Sequence, residues 1–344
     1  MKKVLCMALC LALVFALAAC GANGAPAASA PAASGADAPA AENAGSAEAA
    51  GWVPTKDVEI VTHSGVGAGG DLIGRAVIEA SQSLVPENMF MQNKKGSAGS
   101  NVWAYVKEGK TDGNTLIVGT PTNFLWYYNA NNGMNIIEDL VPLCRLQLEP
   151  QLLVVQAKGP YQSIDDFKEA YKAGNATIAG EASGGPAWMC AMTMAEALGC
   201  SASYIPYSDG GEAITGLLGG NVDAAFIQYS EGIDQVKAGE LKVLAFASEE
   251  REESDPDIPT LTESGVDFVF PQWRGLFVRK GTSDEAIAYW EKIFAESSQT
   301  ESFQKWLADS GSLDGWMGHE EFYAFCVEQD KVVTDMIARF GTGE

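Results

Sequence analysis

The chain has 344 residues, with 22 lysines and arginines against 45 aspartates and glutamates, and a formal net charge of -23 at pH 7. That field repels nucleic acid and anionic lipid head groups, which removes both from the expected partners, and any anionic ligand must be held by local donors. Two histidines, His63 and His319, and seven cysteines without C-x-x-C spacing point away from a zinc site, and no other cofactor is indicated.

The N-terminus reads Met1-Lys2-Lys3, then an apolar run from Val4, and closes on Leu17-Ala18-Ala19-Cys20. The run to Ala19 is 16 residues, short of the roughly 20 that span a bilayer, so residues 1–19 read as an export signal rather than an anchor. The Leu-Ala-Ala-Cys ending resembles the lipobox of bacterial lipoproteins, which implies lipidation of Cys20 and a mature chain held on the outer face of the membrane. Residues 21–50 contain almost nothing but Ala, Gly, Pro, Ser and a few acids. Such a segment buries too little apolar surface to offset its ordering entropy, so 20–51 is expected to be a disordered tether. The remaining 293 residues exceed what one core usually organises, so two lobes are expected.

Asp57 to Thr62 alternates polar and apolar as a strand does, and a glycine cluster then leads into the helical spacing of Asp71 to Ile78. The unit recurs, with strands at 88–93 and 115–119 around a helix at 100–108. Leu152 to Val155 is a further strand, followed by a helix over 163–173 with Ser163 as its N-cap. A second set follows: strands at 177–180, 203–205, 222–226 and 241–246, with helices at 186–198 and 211–218. Gly275 to Val278 reads as a strand returning to the first lobe, and helices follow near 284–296, 301–310 and 320–340. Strands alternating with helices predict α/β lobes with parallel sheets. The chain is expected to cross between lobes near Gln156 and near Phe270, which gives 52–156 with 271–344 as lobe 1 and 157–270 as lobe 2. Ligands of open α/β sheets bind beyond the carboxyl ends of the strands, here a cleft between lobes. Of the mature cysteines, Cys190 and Cys200 fall near opposite ends of one helix, too far apart for a disulfide.

Gly65-Val66-Gly67-Ala68-Gly69-Gly70 fits G-x-G-x-x-G between strand and helix, the dinucleotide fingerprint, but the second strand ends in Gln92-Asn93-Lys94 rather than in the acid that would hold a ribose. The physics of the loop survives that objection. Glycines expose backbone N–H groups, which join the following helix N-terminus in a site for a carboxylate or phosphate. Gly96 to Asn101, Thr120 to Asn123 and Ala182 to Pro186 are three more donor-rich loops. Each alone reads equally as a turn or cap; four such loops after strands favour a cleft that binds an oxyanion.

The opening Gly67-Ala68-Gly69-Gly70-Asp71-Leu72-Ile73-Gly74-Arg75, the stretch Gln92 to Asn101 followed by Asp112-Gly113-Asn114-Thr115-Leu116, then Ile205-Pro206-Tyr207, Leu218 to Asp223, Pro256 to Leu261 and Trp273-Arg274-Gly275-Leu276 together resemble, in order, the solute receptors of tripartite tricarboxylate transporters. The resemblance covers nearly the whole chain after the tether. It implies a fold like that of type II periplasmic binding proteins and a monomeric extracytoplasmic receptor that closes on a small carboxylate, a di- or tricarboxylate or an aromatic acid, and presents it to a membrane permease. The implied ligand contacts are Ser64, Gly65, Gly67, Gly69 and Gly70; Ser97, Ser100 and Asn101; Thr120, Thr122 and Asn123; Ser183, Gly184 and Gly185; and Asp209. Asp71 and Arg75 are expected to fix the first helix and its loop. Two departures bear on specificity: His63-Ser64 replaces the family's usual Pro-Phe, and Pro186, Trp188 and Cys190 follow the second-lobe loop. Phe124 to Tyr128 sets aromatics beside a cleft loop, either as packing or as the wall for a bulky acid.

No nucleophile, base and orienter form a recognisable set, so an enzyme is not expected. The other binding reading is a receptor for an amino acid or amine, with Asp209 receiving an ammonium. An arginine clamp on the carboxylate is not required, and Arg145 and Arg274 are its candidates.

Overall fold

In a computed structural model, residues 51–130, 134–181, 183–252 and 255–341 are described; the expected signal, Cys20 and the tether to residue 50 lie outside them. The first sheet has six strands: β1 (Val58–Thr62), β2 (Met89–Asn93), β3 (Thr115–Gly119), β4 (Leu140–Glu149), β10 (Gln272–Arg279) and β11 (Leu313–Met317), in the order β11-β4-β10-β3-β1-β2. The second has five: β5 (Gln151–Gln156), β6 (Ile178–Gly180), β7 (Tyr204–Pro206), β8 (Ala224–Gln228) and β9 (Leu241–Ala247), in the order β7-β6-β8-β5-β9. Helices α1 (Gly69–Ser81), α2 (Ser100–Glu108), α3 (Pro121–Ala130), α4 (Ile136–Asp139), α9 (Asp284–Ser297), α10 (Glu301–Asp309) and α11 (His319–Phe340) flank the first sheet. Helices α5 (Ile164–Lys172), α6 (Pro186–Leu198), α7 (Gly210–Leu218) and α8 (Tyr229–Lys237) flank the second. No described helix is long and apolar enough to cross a membrane.

The sheets are mixed, which corrects the expectation of parallel ones. β1, β2 and β3 run parallel, as do β6, β7 and β8, while β10 is antiparallel to β3 and β4, and β5 to β8 and β9. Parallel neighbours need a helical crossover; antiparallel ones do not. Where the chain passes directly from one sheet to the other and back, no crossover helix intervenes and the direction reverses.

The first passage falls at Pro150, ahead of the expected 156. Proline has no N–H for a ladder and ends β4 there, so Leu152 to Val155, buried on both faces, enter the second sheet instead of the first. Pro271 marks the return in the same way. The two passages lie side by side, since Gln272 pairs with Glu149, and Gln151 with Gln228 and Ala247.

One core cluster joins α1, β1, β3 and α9 around Ile60, Leu116, Trp290 and Phe294; a second gathers Trp103, Phe124, Trp273, Phe277 and Phe322. In the second lobe, Phe167, Tyr171 and Phe226 fill one side of the sheet and Leu152, Ile214 and Phe246 the other. Gly275 in central β10 shows how tightly α11 presses on the first sheet. A Cβ there would lie 2.6 Å from the Cys144 carbonyl oxygen and collide with the Phe322 ring. Gly275→Ala is therefore expected to cost about 1–3 kcal/mol, read as a lower midpoint in denaturant unfolding. Among the described residues the cysteines, Cys144, Cys190, Cys200 and Cys326, are free thiols.

Candidate functional site

The glycine loop after β1 is held from below by a buried carboxylate. Asp71, 1% exposed, accepts the Gly67 N–H at 2.9 Å, Arg75 Nε at 2.9 Å and Nη2 at 3.0 Å, and Asn93 Nδ2 at 3.1 Å. Asn93 also donates to the Ser64 carbonyl at 3.0 Å, which ties the loop to the end of β2. Burial works against the Asp71 charge, but these donors outweigh it and keep the carboxyl below its ordinary range. Arg75 is half exposed, and its partner alone is buried. Asp71→Ala should loosen residues 64–70 and cost about 2 kcal/mol, seen as a lower melting temperature above pH 5. The charge contributes only above the unfolded-state pKa, so the difference from wild type shrinks as pH falls through the depressed folded value.

Gly69 and Gly70 open α1, whose N-cap, Ala68, supplies no side-chain acceptor. A Cβ on Gly70 would come within 2.5 Å of both Ser64 Oγ and Thr62 Oγ1, so two hydroxyls crowd this helix start. A Cβ on Gly69 would meet the Arg274 guanidinium, 2.7 Å from Cζ. Gly67 is exposed and Gly65 lies beside the Lys95 stem.

The other first-lobe loops meet this one through His63 and Trp126. Asn123 accepts the Thr120 N–H at 2.7 Å and lies 3.4 Å from His63 Nδ1, while Thr120 Oγ1 is buried without a partner among the described residues. Trp126 stands edge-on to His63, ring centroids 4.7 Å apart, and covers Gly99. Burial, helped by the nearby Arg274 charge, drops the His63 pKa to about 4, so the ring is neutral at pH 7. Ser97 is exposed in left-handed backbone, φ 52°, between Gly96 and Gly99, which share that sign. Asn101 turns back to the Lys95 carbonyl at 2.9 Å, Ser100 begins α2, and Thr122 is partly exposed on α3. Phe124 is core, and Tyr128 donates to Asp330 at 2.7 Å.

In the second lobe, Ser183 is partly exposed, and buried Gly184 and Gly185 lead into α6, whose N-cap, Gly185, again provides no side-chain acceptor. Asp209 caps α7 by accepting the Glu212 N–H at 2.9 Å. Trp188 packs edge-on to Phe340, and Cys190 is fully buried. A groove of about 490 Å³ along α11, lined by Phe268, Val332 and Met336, shares no residue with these loops.

The floor between the sheets is charged, which the sequence did not reveal. Arg274 on β10 is 5% exposed and pairs through Nη1 with Glu149, which is fully buried; through Nη2 it donates to Gln228 Oε1 of the second lobe at 2.9 Å. Gln228 is the N-cap of α8 and donates its N–H to Glu231 at 2.9 Å. Glu231 lies against Gly210, where a Cβ would be 2.6 Å from Oε1. Glu181, just after β6, has an enclosed Oε1 without a partner among the described residues, and its own carbonyl accepts the Tyr204 hydroxyl. Burial, then the charge of Glu231, lifts the Glu181 pKa to about 8; burial, then the charge of Glu149, lifts Glu231 to about 7, in each case against the pull of Arg274. Arg145 is not part of this floor. It donates to the Gly315 carbonyl at 2.8 Å and stacks on Phe325.

The model of the tripartite tricarboxylate transporter family receptors matches residues 73–341. The chain belongs to this family of transporter receptors. BugT of Bordetella pertussis is 25% identical over 265 residues, 75% of this chain and 81% of that protein. The structure of a TctC solute-binding protein from Polaromonas superposes with a TM-score of 0.73 at 27% identity, covering 83% of this receptor and 99% of that chain. MatC of Rhodopseudomonas palustris, solved with bound malate, gives a TM-score of 0.68 at 23% identity over 85% of this receptor and 100% of its own length. The receptor thus has the two-lobed α/β fold of solved family members, and the family is one of solute receptors rather than enzymes. Its charged floor was findable from the sequence only by asking which acids follow buried strands. Glu181 after Ile178-Ala179-Gly180 answers that question; Glu149, in a run of alternating polar residues, does not.

Proposed function

We propose that this receptor captures a small carboxylate outside the cytoplasm and hands it to the membrane permease of a tripartite tricarboxylate-type transporter. The reading rests on one observation above others. The N-terminus of α1, without a side-chain cap, faces the Arg274 guanidinium, whose buried Nε has no partner among the described residues. Unsatisfied helix N–H groups and a guanidinium converge where a carboxylate would be held, with the hydroxyls of Ser64 and Thr120 alongside. MatC, of the same fold, holds malate, which agrees with this chemistry. Ser64, Gly69, Gly70, Thr120 and Asn123 carry the first-lobe contacts, and Ser183, Gly184 and Gly185 those of the second lobe. Ligand bridging both shifts the population toward closed lobes about the passages at Pro150 and Pro271.

The Leu17-Ala18-Ala19-Cys20 ending supports a lipid anchor on the outer face of the membrane; Cys20→Ser should move the protein from the membrane to the soluble fraction. The binding reading is tested by thermal shift of the purified protein, refolded to strip co-purified ligand, against mono-, di- and tricarboxylates. Binding to the folded state alone should raise the melting temperature by about 5–10 °C at 100 times the dissociation constant. A folded sample that no carboxylate stabilises would refute it.

A further inference from the structure

Trp188, one of the departures from the family's usual sequence, is 4% exposed and serves the core of the first lobe rather than that of its own. Helix α6 buries two faces. Ala187, Cys190, Ala191 and Met194, spaced three and four apart, pack on the second sheet, whereas Trp188 and Met189, with Met192 beside them, join the cluster of Trp273 and Phe322. Their partner is the far end of α11. Phe322, Cys326, Gln329, Val333, Met336 and Phe340 form one stripe along that helix at the same spacing. The start of the stripe lies on the first sheet, where Phe322 abuts Gly275 and Gln329 accepts Trp273 Nε1–H at 3.3 Å. Its end reaches α6: Phe340 stands edge-on to Trp188 with ring centroids 6.2 Å apart, Thr193 Oγ1 lies 3.8 Å from Met336 Sδ, and Arg339 pairs with Glu196. Trp188 sits in the first turn of α6, directly after the Ser183 to Gly185 loop.

We propose that the contact between α6 and the end of α11 is a further link between the lobes, beside the passages at Pro150 and Pro271, and that it positions the Ser183 to Gly185 loop for ligand from outside the cleft. The effect on ligand rests on the receptor reading above; the link itself stands on the contacts alone. The second lobe cannot swing about the two strand passages without drawing Trp188 and Met189 out of a core they fill, or else carrying the end of α11 with it. Either way the spread of the lobes is opposed by the free energy of this contact. When the contact is weakened, the arrangement that offers donors from both lobes is less populated, and the observed affinity falls by the same factor. Phe340 and Arg339 are thus positioning residues for a ligand held by other elements.

The test compares purified wild type, stripped of ligand by refolding, with Phe340→Ala and Arg339→Ala. Phe340 is half-buried and Arg339 exposed, and melting curves verify that both variants fold. Small-angle X-ray scattering without ligand should give Phe340→Ala a larger radius of gyration than wild type, a change that a local packing defect does not produce. Calorimetric titration with malate, succinate, adipate and citrate reads the affinity. The acid that binds wild type should bind Phe340→Ala about tenfold more weakly and Arg339→Ala about twofold more weakly, and saturation with it should return Phe340→Ala to wild-type dimensions. Unchanged dimensions of ligand-free Phe340→Ala, or an affinity equal to or tighter than that of wild type, overturns the inference and leaves the carboxylate receptor standing. A wider Phe340→Ala in a protein that binds none of the acids sustains the link and counts against the carboxylate reading alone.

Discussion

Arg274→Met is expected to destabilise the protein by about 3–5 kcal/mol, more than removal of any exposed charge. The pair it forms with Glu149 is among the most buried in the molecule, the two side chains being 6% and 1% exposed, whereas the pair of Lys305 with Asp309 stands in solvent. The arithmetic of a buried pair is asymmetric. Forming it gives little net stability, because both ions give up water, but removing one partner leaves the other charged in a medium that cannot solvate it. Here Glu149 would keep Glu181 and Glu231 as neighbours with no cation among them, so the cost should fall at pH 5, where Glu181 and Glu231, both raised by burial, are protonated. The double variant Arg274→Met with Glu149→Leu should regain most of the loss. Urea unfolding of wild type, Arg274→Met and the double variant at pH 5 and pH 8 measures all of this. A loss below 1 kcal/mol at pH 8 would mean that water reaches the floor and that the charges there are ordinary surface charges.

Glu181→Gln is expected to act in the opposite direction and stabilise the ligand-free protein at high pH. Glu181 titrates near 4.5 as an ordinary glutamate but near 8 when folded, because burial first, and then the charge of Glu231, penalise its anion. Between those values the folded state binds more protons than the unfolded one, so the contribution of Glu181 falls as pH rises from 4.5 to 8 and is lost above 8. Glutamine carries no such penalty. The variant should match wild type near pH 5 and exceed it at pH 9 by roughly 2–4 kcal/mol, or about 4–12 °C in melting temperature. Glu149, Glu231, Arg274, Cys190 and Tyr204 share the surroundings of this carboxyl, and a partner that reorganises with it would reduce the gain without changing its sign. His63 works the other way. Its folded value of about 4 against an ordinary 6.5 removes stability as pH falls through that interval, a slope opposite in sign to that of Glu181. Equal pH profiles for Glu181→Gln and wild type would refute the buried state of this side chain.

The elements most legible in the sequence were those with local punctuation. Ser163 caps α5 and accepts the Asp166 N–H at 3.1 Å; Pro186 opens α6; Gly199, with φ at 67°, ends it. Each signal is a backbone requirement that one residue type meets. The elements without such marks went unseen. β4 mixes Pro142, Arg145, Gln147 and Glu149 with its apolar residues because it lies between β10 and β11, where polar side chains find partners at the sheet end: Gln147 donates to Ser312 at 2.6 Å. α8 carries Gly232 and few apolar residues, and its start is set by Gln228, the residue that also meets Arg274. The glycine loops announced an anion site, since N–H groups come with the backbone. The acids opposite them were not legible as a group, because Glu149, Glu181 and Glu231 are far apart in the chain and only the two sheets, joined at Pro150 and Pro271, bring them together. The direction of β10 was likewise invisible, as an apolar run reads the same in a parallel or an antiparallel ladder.

The most direct test is a crystal structure of the protein with the acid that stabilises it most in the thermal screen. The account predicts a carboxylate within hydrogen-bonding distance of the Gly69 or Gly70 N–H and of Arg274, with donors from both lobes around it. A ligand bound elsewhere, for example in the groove beside Phe268 and Met336, with the α1 N-terminus untouched, would contradict it.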